Sequence, residues 1–255
     1  MARTFTAASN DRLELAEALV TAVPLTFVAW VKLLAVGAVN RAIIEIRDKD
    51  SGADTHRWTL YMSNAEAISA GTAAALGTAA SAAPITMQVG RWYHAAAVFS
   101  TDSLRTAYCN GVPGTPNTST RAPLNVDYTM IGCSIHSTST YQIPWGGEIA
   151  DAAIYAGALS AAEIRQLYVS QAPPPSVREN DLKSYVPLAG RGATVERDVY
   201  GNRDFTVTGA TAEAQQIIRP RLVHARYGKV PAAAGTFTPM AGGRFSLAGE
   251  RGLAA

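Results

Sequence analysis

Up to Tyr155 this chain is a succession of short runs rich in β-branched, aromatic and aliphatic residues, each ended by a turn signal. PLTFVAWVKL (24–33), RAIIEIRD (41–48), HRWTLYMS (56–63), PITMQVGRW (84–92) and RWYHAAAVFS (91–100) all carry it. In HRWTLYMS, strict alternation puts Trp58, Leu60 and Met62 on one face and Thr59, Tyr61 and Ser63 on the other. The Ala-rich stretch between Asn64 and Pro84 is interrupted by Gly71, Gly77, Thr and Ser, which predicts a weak strand and loops in preference to a helix. Asn110-Gly111 is a hairpin signal, because a two-residue type I′ turn needs positive φ at both central positions. The one helix signal is the capping-box spacing Ser160 to Glu163, which predicts a helix to about Tyr168 with Ile164, Leu167 and Tyr168 on its packed side. Pro173, Pro174 and Pro175 end it and predict a stiff, extended linker.

At 255 residues, 48% apolar and 16% charged, the chain can bury one large core. No apolar run approaches the length that crosses a bilayer, so no membrane partner is expected. The start MARTFTAASNDRLEL lacks a charged-then-apolar leader pattern, so signal-peptide export is not expected. Cys109 and Cys133 read as small buried thiols of a protein made in a reducing compartment, with a bridge between two strands of a secreted sandwich as the open alternative. Charge is uneven. Residues 213–255 carry six Arg or Lys against Glu213 and Glu250, after a slightly acidic body. That Gly-rich end predicts a docking arm: Arg219, Arg221, Arg226, Lys229, Arg244 and Arg251 supply charge, and Ile217, Ile218, Leu222, Phe237 and Phe245 supply apolar anchors. Basic residues are too sparse, and aromatics too few, to predict a nucleic-acid partner.

Catalytic patterns are missing. Glycoside hydrolysis needs two carboxyls facing one cleft, about 5 Å or roughly 6.5–9.5 Å apart. Glu148 and Asp151 in EIAD stand at i, i+3 and face opposite ways on a regular strand. Asp48 and Asp50 share a face but lie beside Lys49, Ser51 and Gly52, which reads as a solvated hairpin tip. His56, His94, His136 and His224 lack metal-ligand spacing, no nucleophile elbow is present, and the Gly-rich tail lacks a P-loop ending. No enzymatic activity and no cofactor are expected. For sugar contact, Tyr128, Tyr141 and Trp145 lie in or beside loops, above all HSTSTYQIPWGG (136–147), whereas Trp30, Trp58 and Trp92 read as core.

The ordered set FTAASNDRLEL, PLTFVAWVKL, RWYHAAAVF, LRTAYCNG and EIADAAIYAGALSAAEI resembles the laminin-G-like, concanavalin A-like jelly-roll family over most of residues 1–211. The resemblance implies an all-β antiparallel sandwich with one short helix, divided as 1–170 sandwich, 171–180 Pro-rich linker, 181–212 late strand segment and 213–255 C-terminal arm. In that family a segment like SYVPLAGRGATVERDVYGNRDFTVTGAT precedes the first strand, whereas here it follows the sandwich. A permuted edge pairing beside the early strand is the favoured reading; a truncated second repeat and pairing with a neighbouring subunit stay open. Many such modules hold Ca²⁺ at one rim. Here Ala150 stands where an acid is usual, which leaves Asp11 after Ser9-Asn10 as a weak metal candidate beside its role in an Asn-Asp turn. The layout, with its basic Gly-rich end, also resembles structural proteins of tailed-phage virions. That implies a head decoration or accessory component in a multi-copy assembly, contacting other virion proteins such as the major capsid protein, and localised to a virion assembled in host cytoplasm. The alternative is a lectin-like adhesion module of a tail or fibre whose partner is a surface glycan.

Overall fold

The computed structural model describes residues 2–37, 39–50, 56–137, 140–190 and 192–213. Apart from the backbone of Glu213, the predicted docking arm with all eleven of its named residues lies outside them, as does His224. The strands are β1 (Ala2–Phe5), β2 (Arg12–Leu15), β3 (Leu25–Leu33), β4 (Arg41–Arg47), β5 (Arg57–Met62) and β6 (Ala67–Ala74). They continue with β7 (Gly77–Thr86), β8 (Trp92–Thr101), β9 (Leu104–Cys109), β10 (Val112–Pro113), β11 (Tyr128–Ile131) and β12 (Ser134–Ser137). The last are β13 (Thr140–Gln142), β14 (Gly147–Tyr155), β15 (Leu182–Val186), β16 (Val195–Arg197), β17 (Asp204–Thr208) and β18 (Thr211–Glu213), with one helix, α1 (Ala161–Ser170), between β14 and β15.

Two antiparallel sheets form the predicted sandwich. The first runs β10-β9-β8-β3-β14-β1-β18, and β15 shares the β14 edge with β1. The second runs β16-β17-β2-β11-β4-β5-β6-β7. Leu13, Phe27, Ile44, Ile46, Trp58, Leu60, Met62 and Phe99 pack between them, and the Phe27 and Phe99 rings meet edge-on at 5.7 Å. β3 and β8 are almost wholly buried because their other face lies under α1, where Ile164 and Leu167 meet Val28, Ala96, Val98 and Tyr155. Trp30 belongs to this outer layer and not to the space between the sheets, and Trp92 beside it is half-buried.

Local signals are met where a turn or cap is complete in itself. Asn110 and Gly111 take φ 52° and 74° and close the β9–β10 hairpin, with Cys109 paired to Val112. Ser160 and Glu163 cap α1 reciprocally. The Ala-rich stretch differs from its prediction: β6 and β7 form a long hairpin about Gly77, itself at φ 94°. The 171–180 segment is not an extended spacer. It makes two 3₁₀ turns, Pro174–Ser176 and Glu179–Asp181, with Pro174 and Val177 buried and the Tyr155 hydroxyl donating to the Pro174 carbonyl at 2.8 Å.

Residues 182–213 return to the sandwich of their own chain: β15 lies beside β14, β17 beside β2 and β18 beside β1. Arg3 is the fastening. Its buried guanidinium meets Glu196 at 2.6 Å and donates to the Ala210 carbonyl at 2.8 Å and to the Gly192 carbonyl. Glu196 also accepts the Ala189 and Gly190 N–H groups. The DVYGN turn has a similar hub, because one Asp198 oxygen accepts the N–H groups of Tyr185, Tyr200 and Gly201 at 2.7–3.0 Å.

Candidate functional site

The outer face of the second sheet carries a cleft of about 120 Å³ over β5, β6 and β7. Alternation along β5 sends Trp58, Leu60 and Met62 inward and leaves Arg57, Thr59 and Tyr61 facing out. β6 and β7 contribute Gly71, Ala73, Thr78 and Ala80, and Asn40 and Ile143 form a wall. Small residues on β6 and β7 keep the floor low. At Gly71 a Cβ would stand 2.9 Å from Tyr61 Cε1, so a side chain there would push the ring aside. The register pairs Thr59 with Gly71 and Tyr61 with Ser69, so the half-buried Tyr61 ring leans diagonally over bare glycine backbone. Burial pushes the Tyr61 phenol up, partly offset by its hydrogen bond with Ser69 and the charge of Arg57. The hydroxyl therefore stays protonated at neutral pH.

Beneath the cleft lies a buried charged hub. Glu45, fully buried, meets Arg47 at 3.3 Å and Arg57 at 3.7 Å. It also accepts the hydroxyls of Thr59 at 2.8 Å and Ser134 at 2.7 Å. The bond to Ser134 ties the β12–β13 hairpin down across this face. Arg57 keeps 15% of its side chain exposed and presents a cation to the cleft.

The sequence-predicted platform is not assembled. Trp145 is fully buried in the main core, where it plugs the space between the sheets; this corrects its reading as an exposed sugar contact. Tyr128 and Tyr141 share a separate cluster with Met130, Cys133 and Ile135, and a cation lies over each ring. The Arg12 guanidinium carbon lies 3.6 Å from the Tyr141 ring centre, and Lys49 Nζ 4.3 Å from that of Tyr128. The Tyr141 hydroxyl donates to Glu14 at 2.8 Å. Asp11 is buried and accepts the Thr6 N–H at 2.7 Å, a turn-capping role.

Glu148 and Asp151 depart from the regular-strand expectation. The register of β14 shifts between Ala150 and Ala153, and Asp151 sits there at φ 49°. The bulge turns Asp151 to the outer layer, where it accepts the Tyr185 hydroxyl at 2.6 Å. Glu148 pairs with Lys32 on the same side. Both carboxylates are buried under partners. The cleft residues Tyr61, Arg57 and Gly71 were missed in the sequence; an isolated Gly inside a strand-like run was the signal that could have found them.

No curated protein matches this chain. Among solved structures, a Bacteroides ovatus protein described as carbohydrate binding aligns with a TM-score of 0.59 at 17% identity, over 82% of this chain and 58% of that one. The chain thus spans little more than half the length of that protein. A SAP-like pentraxin from Limulus polyphemus aligns at 0.56 and 18% identity, over 82% of this chain and 95% of its own. The CBM40 of the Ruminococcus gnavus IT-sialidase, solved with α2,3-sialyllactose, aligns at 0.51 and 16% identity, over 58% of this chain and 84% of its own. At these identities the likeness speaks to fold alone. The family described as the concanavalin A-like lectin/glucanases superfamily matches residues 7–165, more than half the chain, in the segment that carries most strands of the two sheets and the cleft, and this chain belongs to it.

Proposed function

We propose that this chain is a carbohydrate-recognition module that binds a glycan in the cleft over β5, β6 and β7 and does not hydrolyse it. The observation that carries this reading is Tyr61. A half-buried ring laid over the backbone of Gly71 offers an apolar platform for the C–H face of a sugar. Asn40, Arg57, Thr59 and Thr78 surround it with groups that match ring hydroxyls. Structural neighbours named as carbohydrate binding, or solved with sialyllactose, support the class of ligand. Against hydrolysis, Glu148 and Asp151 hold Lys32 and Tyr185 in place of facing a cleft. A virion role rests on a likeness of layout and on the charge pattern of residues 213–255, nearly all outside the described structure, and no observation in the sandwich favours it.

The test is a glycan array followed by calorimetry on the best ligand. Tyr61→Ala should weaken binding about tenfold or more, the value of one stacked ring. Gly71→Ala should do the same by displacing the ring. Tyr128→Ala should leave affinity unchanged. A blank array, or full affinity in Tyr61→Ala, refutes the reading; release of reducing sugar from the bound glycan refutes its non-catalytic half.

A further inference from the structure

At one rim of the sandwich, three loops converge on Arg41. Residues 34–37 leave β3, the 3₁₀ turn Ala7–Ser9 follows β1, and loop 143–146 leads into β14. The Leu34 N–H donates to the Gly146 carbonyl at 3.2 Å and ties two of them together. Both glycines in this corner make room for one side chain. A Cβ on Gly146 would fall 2.2 Å from Arg41 Nη1, and one on Gly37 would fall 3.1 Å from Nη2. The same Gly146 position stands 3.5 Å from Ala7 Cβ.

Arg41 is 8% exposed, and its Nε is sealed from solvent with no acceptor. Among the described residues its guanidinium makes no hydrogen bond or ion pair. The other buried arginines differ. Arg3 has Glu196 and two carbonyls, Arg47 has Glu45, and Arg105 has the Asp102 and Ser119 carbonyls. A guanidinium carries only donors and holds its charge at every physiological pH. Sealing its Nε without an acceptor is unfavourable, and a fold that builds a glycine-lined niche around the two terminal nitrogens points to acceptors arriving from outside.

We propose that Arg41 is the recognition point of a rim site for a small oxyanion, a carboxylate or sulfate group. The planar fork of the guanidinium matches the paired oxygens of either group. The exposed Leu34, Val36 and Val39, between β3 and β4, form an aliphatic lip that suits an anion carried on a less polar body, such as a sugar ring, and not a bare hydrated ion. This site lies outside the Tyr61 cleft and does not depend on it.

The experiment titrates the full chain with sodium sulfate, sodium glucuronate and glucose, with sodium chloride at matched ionic strength. It reads the Arg41 Nε–H and the Gly37 and Gly146 amide resonances by ¹H–¹⁵N NMR, and the thermal midpoint. Glucuronate should move all three resonances saturably, and glucose and chloride should not. Sulfate raises the midpoint of most proteins by exclusion, so only its difference between wild type and variant counts. Arg41→Met should abolish the saturable shifts at Gly37 and Gly146 and the specific part of the midpoint rise. In chloride alone it should match or exceed the wild-type midpoint, because it removes an uncompensated charge. Preference for glucuronate over sulfate supports the site as proposed; an equal response to bare sulfate overturns the part given to the aliphatic lip. Absence of saturable shifts, identical shifts in Arg41→Met, or a large loss of midpoint in that variant without anion overturns the proposal. Tyr61→Ala should leave these shifts intact, which separates this site from the cleft.

Discussion

His94 gives the sandwich a calculable sensitivity to acid. The ring lies under α1 on the outer face of the first sheet, 5.4 Å from the Trp30 ring and 6.4 Å from that of Tyr168. Its Nδ1 is buried without a partner, and burial pushes its pKa from 6.5 down to about 4. The folded state therefore holds a neutral imidazole at pH values where the unfolded chain takes up a proton. A pKa lowered by folding makes stability complete above the unfolded value, and stability falls as pH drops toward the folded one. Between about pH 7.5 and pH 5 the unfolded imidazole becomes almost fully protonated and the native one barely does, a loss of about 2 kcal/mol. The same window spans the ordinary histidine range, and the chain also carries His56, His136 and His224, so the comparison with a His94 variant is what isolates this residue. Urea unfolding of the wild type at the two pH values should show this loss. His94→Phe, which keeps a ring against Trp30, should show about 2 kcal/mol less of it. An His94 imidazole proton titrating near its ordinary value by NMR, or equal losses in the two proteins, would refute the burial argument.

The fastening of the late segment makes a second prediction. Arg3→Met leaves Glu196 buried and uncompensated and should cost about 3–5 kcal/mol in urea unfolding, whereas adding Glu196→Gln should recover part of that loss; equal loss in the single and double variants would refute the pairing argument. The two thiols make a third. Burial pushes both Cys109 and Cys133 up to about 12, and they sit in separate clusters, one between the sheets and one under β12–β13. A thiol reagent at mildly alkaline pH should find neither in native protein and both in urea, with no disulfide by mass; rapid labelling of either thiol in the folded state refutes it.

What was legible in the sequence follows the distance over which each feature is decided. Asn110-Gly111 and the Ser160–Glu163 box are completed by adjacent residues, and both are met in the structure. The inward face of β5 needed only alternation, which the sandwich satisfies. The β6–β7 hairpin was underestimated because alanine has little β preference of its own; its pairing is fixed by Tyr61 and β9 packing on either side of it, which no local window contains. Trp145 looked like a loop aromatic because PWGG carries turn residues, yet its indole closes the gap between the sheets. The Asp151 bulge is invisible to a parity argument that assumes a regular strand. The cleft itself joins Asn40, Tyr61, Gly71 and Ile143, four residues whose meeting depends on the whole order of the second sheet.

The placement of the buried acids is the structural ground for proposing recognition and not hydrolysis. Glycosidic chemistry requires two carboxyls free to trade protons across a bound sugar. In this sandwich the buried carboxyls hold the backbone and the loops. Asp11 closes the first turn, Asp198 gathers three N–H groups, Glu196 ties the late segment to β1, and Asp151 pins Tyr185. Glu45 is the instructive case, because it alone of these lies beneath the cleft. Its oxygens are taken by Thr59, Ser134 and Arg47, and Arg57 stands between it and any ligand. A proton donor so enclosed cannot approach a glycosidic oxygen without releasing the β12–β13 hairpin. What it can do is hold Arg57 and Thr59 in fixed rotamers. Rigid polar groups beside an aromatic platform lower the ordering entropy that binding a sugar must overcome.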